Sequence, residues 1–127
     1  MGLDMYAWGV DAELADRFLE GKMEPNFNPD ELHYWRKHHD LHGWMENRYY
    51  AEGGAAQSFN CVKLRLTLEM LDDLERDIKA KRLPATEGFF FGNNPPDEES
   101  NFDDLNFIAK ARTYINGGGA VFYDSWW

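Results

Sequence analysis

Apolar and polar positions alternate at the start of the chain, where "GLDMYAWGV" reads as a short aromatic strand running into a helical turn at "DAELADRFLEGK". "MEPNFNPDE" follows as a loop. Asn28 then stands where an N-cap belongs, with Pro29 at the first helical position and Glu31 three residues after the cap, so the pattern predicts a helix from Pro29 to about Tyr50, ended by "AEGGAAQS". "CVKLRLT" alternates Val62, Leu64 and Leu66 against Lys63 and Arg65, as a strand with one buried face does. Thr67 is placed to cap the next helix, "LEMLDDLERDIKAKRL", whose Leu71, Leu74 and Ile78 fall on one side and which Pro84 stops. "GFFFG" reads as a buried strand and "NNPPDEES" as an acidic loop. "NFDDLNFIAKARTYIN" reads as a helix with Leu105, Ile108 and Ile115 together and Gly117 to Gly119 as its stop, and "AVFYDSWW" as a last strand. The expected fold is α+β: one domain over residues 1–127, with about three helices packed on a small mixed sheet.

The candidate chemistry centres on "HYWRKHHDLHGW", which holds all four histidines. On the expected helix Tyr34, Trp35, His38, His42, Met45 and Tyr49 share one face, whereas His33, Arg36, Lys37, Asp40 and Asn47 project from the opposite side. Only His38 and His42 have the i, i+4 spacing of a helical metal pair. No third ligand accompanies them and "HExxH" is absent, so no metal and no cofactor is expected. The two histidines are expected to pack among Trp35, Met45 and Tyr49. The alternative is a small-ligand pocket floored by these rings, with Arg36 at its rim to hold an anion and His42 as an acid or base. Asp4, within an apolar strand, needs a partner, and Arg36 is the expected one; a ligand contact is the alternative.

Charge narrows the picture further. Twenty-three acidic residues against 13 Lys and Arg give a formal net charge of -10, which disfavours direct binding to a nucleic-acid backbone and suits either solubility or a basic partner. Aromatic residues make up 16% of the chain, more than a core of this size needs, so some are expected on a surface or in a pocket. A single cysteine, Cys61, excludes an internal disulfide framework. With no leader-like start and no long apolar run, a soluble intracellular protein is expected. Phosphate-cradle, dinucleotide, serine-hydrolase and thiol-redox motifs are all missing, so an enzyme is the less favoured class.

From Leu83 to Ala109 there is no Lys or Arg, while Glu87, Asp97, Glu98, Glu99, Asp103 and Asp104 all fall there. Such a segment is either a solvated loop or a run of carboxylates that imitates phosphates to a basic groove. Phe89, Phe90, Phe102 and Phe107 would serve as apolar anchors.

"MGLDMY", "ELHYWRKHHDLHGWM" and "LPATEGFFFG", in this order and spacing, resemble a family of small uncharacterised proteins found in bacteriophages and prophages. The motif positions are Asp4, Trp35, Arg36, His42, Trp44 and Phe89 to Phe91. The chain departs from the family pattern after "GFFFG", which weakens a site built on that loop. The resemblance implies a phage-encoded acidic protein in the cytoplasm of an infected bacterial cell. The expected role is binding and inhibiting a host defence complex of the anti-CRISPR or anti-restriction type by imitating nucleic acid. The rival is a binder of a nucleotide-like molecule, or a modest enzyme, using Asp4, Trp35, Arg36, His42 and Trp44.

Overall fold

The computed structural model describes residues 2–83 and 98–127, and the side chains of residues 98–101 lie outside the description. The elements are β1 (Asp4–Asp11), a 3-10 turn (Ala12–Leu14), α1 (Ala15–Leu19), β2 (Asp30–Arg36), α2 (His39–Ala51), β3 (Leu64–Leu66), α3 (Leu68–Lys79), α4 (Glu98–Asn116) and β4 (Gly119–Trp126). Helices and sheet together make the fold α+β. Among the described residues four strands lie in the order β2-β1-β4-β3 and every pairing is antiparallel, where a mixed sheet was expected. The "GFFFG" segment, including Phe89 to Phe91, lies outside the described residues.

Two apolar clusters sandwich the sheet. Leu3, Met5 and Ala7 of the β1 segment, Trp35, Leu64, Leu66, Val121 and Tyr123 face the larger cluster, together with Leu41 and Met45 of α2, Leu71, Leu74 and Ile78 of α3, and Phe107, Ile108 and Ala111 of α4. On the other face α1 and the loop after it cover Val10, Ala120 and Phe122 with Ala15, Phe18 and Phe27. This double coverage explains why Ala120 through Tyr123 are all buried, without the alternation of a strand wetted on one side.

The largest departure from the sequence pattern is β2. Residues 30–36 form a strand, and the helix begins only at His39. Asn28, Pro29 and Glu31 satisfy a local capping rule, yet pairing 30–36 against β1 supplies ladder partners from Asp4 to Gly9 along one edge of β1 and buries His33 and Trp35 on the core face. Aromatic residues fit a half-buried pleat well, so tertiary pairing overrides the weak helix signal. Lys37 takes a left-handed φ of 59°, breaking the strand before α2, and its N–H donates to Leu3 O at 2.8 Å.

Other signals hold. Thr67 Oγ1 accepts from Met70 N at 3.2 Å at the start of α3. Gly118, at φ 99°, lets the chain turn from α4 into β4. β3 is shorter than "CVKLRLT", since Cys61 adopts φ 59° and only Leu64–Leu66 join the ladder. Among the described residues no helix is long and apolar enough to cross a membrane.

Replacing Thr67 with Ala removes the cap of α3 and is expected to cost about 1 kcal/mol of stability, read as a lower urea midpoint at unchanged slope.

Candidate functional site

Two layers of polar and aromatic side chains meet at β2, one inside the core and one on the open sheet face. In the inner layer Asp104 of α4 is 1% exposed. Trp35 Nε1 donates to its Oδ1 at 3.0 Å, and His38 Nε2 lies 2.7 Å from its Oδ2. Beside it, Lys110 Nζ is 3.1 Å from His33 Nδ1 and 3.2 Å from Leu32 O. An ammonium can only donate, so Nδ1 of His33 accepts and its Nε2 carries the proton donated to Asp103 Oδ2 at 2.9 Å. The Trp35 ring stands edge-on to Phe107 at 4.7 Å. The acids thus fasten α4 to β2 and to the entry of α2.

His42 and Trp44 are also core groups. His42 Nδ1 lies 2.7 Å from Tyr123 Oη, and its ring packs near Phe59 and Trp127. Burial lowers the His42 pKa to about 4. Trp44 Nε1 donates to Asp77 Oδ2 at 2.9 Å, tying α2 to α3.

The open sheet face carries the residues of opposite strand parity. Across the strands, Arg36, Asp4 and Trp126 form one row, and Tyr34, Tyr6 and Asp124 the next. The Tyr6 and Trp8 rings stack at 5.1 Å with planes 10° apart, and Tyr34 tilts against Tyr6 at 5.2 Å. Tyr34 and Trp126 remain 44% and 60% exposed, because α1 covers only the half of this face around Phe122. Tyr34 Oη donates to Asp4 Oδ1 at 2.6 Å, and Arg36 Nε lies 3.8 Å from the same oxygen. The expected Asp4–Arg36 pair is therefore present, on the outer face and with a tyrosine as third member.

The electrostatics of this face are legible in its phenols. Tyr6 has a raised pKa, through burial first and then through Asp4, Glu31 and Asp124. Tyr34 is raised chiefly by its bond to Asp4. Asp124 is itself raised by desolvation, against the pull of Lys63 and the Ser125 N–H. Aromatic faces flanked by carboxylates present a favourable seat for a guanidinium or ammonium, which gains ring attraction and charge-assisted bonds together.

The structure separates the sites expected from sequence. Of the ligand set, Trp35 and His42 lie in the core and Trp44 at the α2–α3 contact, while Asp4 and Arg36 lie on the opposite sheet face, so the five do not converge. The helical face proposed for Tyr34, Trp35 and the histidines is likewise undone, since strand geometry points Tyr34 and Trp35 to opposite sides. Of the acidic set, Asp104 is buried and spent on Trp35 and His38, which removes it from any contact with a partner. Asp103 is half exposed and bonded to His33. Glu98 and Glu99 belong to α4 with side chains outside the description, and Glu87 and Asp97 lie outside the described residues. Tyr6, Trp8, Asp124 and Trp126 were missed and Tyr34 was grouped with a helical face, although the alternation Asp4, Tyr6, Trp8 already placed three of the face residues on one side of a strand. Among the described residues no three His, Cys, Asp or Glu side chains gather as a metal site.

No family model, curated protein or solved structure matches the chain.

Asp104→Ala leaves the Trp35 and His38 nitrogens without their acceptor and is expected to cost about 3 kcal/mol, whereas Asp103→Ala, at a half-exposed site, costs about 1 kcal/mol or less. Urea denaturation of the two variants compares them directly.

His42 supplies a pH test. Its folded pKa of about 4 lies below the ordinary value of 6.5, so the unfolded chain takes up the proton first. Its stabilising contribution is full above pH 6.5, falls as pH drops towards 4, and changes no further below that. The loss amounts to roughly 3 kcal/mol. His42→Leu is expected to flatten that part of the stability profile.

Proposed function

We propose that the protein acts by binding, holding a basic segment of a protein partner on the open half of its outer sheet face. The single observation that carries this reading is the pair of exposed rings, Tyr34 and Trp126, set beside Asp4 and Asp124 on the antiparallel sheet. A partner arginine seated there stacks on a ring while a carboxylate accepts its N–H groups. The overall charge of -10 adds long-range attraction to a basic partner and repels nucleic-acid backbone.

The resemblance to phage proteins extends this reading to a host defence complex as the partner, occupied in the cytoplasm of the infected cell by a stoichiometric inhibitor. Imitation of nucleic acid would then rest on the exposed acids and not on Asp104, whose burial takes it out of contact.

The test of the surface is binding of an arginine-rich synthetic peptide, followed by tryptophan fluorescence at low and high salt. Tyr34→Ala with Trp126→Ala is expected to weaken binding by about tenfold with an unchanged melting temperature, and salt to weaken the parent. Undiminished binding in the double variant would sink the proposed face. The inhibitor role is tested separately by expressing the chain in a host carrying a defence system: protection of the phage supports it, and no protection rejects it.

A further inference from the structure

A groove of about 630 Å³ runs beside β3, an edge strand among the described residues, between the end of α2, the chain around Cys61 and the tip of α1. Its apolar lining comes from Leu19, Val62, Leu64 and Met70, and Leu19 is 47% exposed there. Gly53 and Gly54 hold the far wall open; a Cβ on Gly54 would stand 2.3 Å from the Tyr49 ring, so a larger residue has no room. The charged lining is Lys63, Arg65 and Glu52. Glu52 is engaged by Arg48 at 2.9 Å, Lys63 lies over the Phe18 ring at 5.1 Å and is also drawn by Asp124, and Arg65 is exposed, so among the lining side chains two cations stand against one acid that already has a partner.

We propose that this groove binds a small amphipathic anion, its apolar body against Leu19, Val62 and Met70 and its carboxylate or equivalent head between Lys63 and Arg65. Apolar area supplies the affinity, and the two cations supply the preference for a negative head. The groove shares no lining residue with the outer-face pair Tyr34 and Trp126. Cys61 lies on the groove wall with its thiol exposed, so occupancy shields a built-in chemical reporter.

The probe is decanoate, kept below its micelle concentration, with decylammonium as the control of opposite charge, and the readout is the rate of Cys61 alkylation by neutral iodoacetamide. Decanoate is expected to slow alkylation in a saturable manner and decylammonium to leave it unchanged. Lys63→Glu with Arg65→Glu is expected to weaken protection at least about fivefold, with Lys63→Gln intermediate and circular dichroism unchanged in both. Equal protection by the two amphiphiles, protection that survives the double reversal, or no protection by decanoate at all would each overturn the proposal.

Discussion

A carboxylate sealed inside a protein persists only where donors surround it, and Asp104 meets that requirement by joining three elements. Trp35 reaches it from β2, His38 reaches it from the entry of α2, and α4 carries it. The cost of desolvating the acid makes the arrangement specific, because moving any one element strands a charge or an indole N–H. Fixing Trp35 inward also fixes Tyr34 and Arg36 outward, since successive strand residues face opposite sides. The inner bond and the outer aromatic face are thus two results of one register.

Much of this architecture was legible. β1, β3, α3, α4 and β4 carry clear periods and stops, and Thr67 caps α3 through its own side chain. The failure lies at residues 29–38, where a capping signature competes with a need for strand pairing visible only once β1 has a place in the sheet. Reading that segment with a period of 3.6 instead of 2 groups Tyr34 with Trp35 and hides the face that Tyr34 shares with Tyr6. Burial of Asp104 was illegible for a related reason. Sequence shows that acids are neighbours, but not that one of them turns into the core while Asp103 stays half exposed.

The surplus of acid is spread unevenly across the molecule. Arg112 bridges Asp72 and Glu75, and Arg48 bridges Asp73 and Glu52, so part of the charge is spent locking α4 and α2 onto α3. Those pairs pull Asp73 and Glu75 below their ordinary pKa values, through the arginine hydrogen bonds first. Asp4 and Asp124, by contrast, sit among aromatic rings on the sheet. The same residue type serves as cement between helices and as the polar margin of an aromatic surface, and the neighbours decide which.

The central strand pair, β1 with β4, sets Asp4 opposite Trp126. Nearly all of the sequence therefore separates the partners of the sheet's middle ladder. During synthesis β1 leaves the ribosome long before β4 exists, and its apolar side chains, Met5 and Ala7 among them, must wait without their lasting neighbours. Closing so long a loop costs more entropy than forming α2 or α3 locally or pairing β1 with β2, so the β1–β4 ladder is expected to form after them. For a protein built this way, the interval between translation of the first strand and the last is the period of greatest exposure to aggregation and proteolysis.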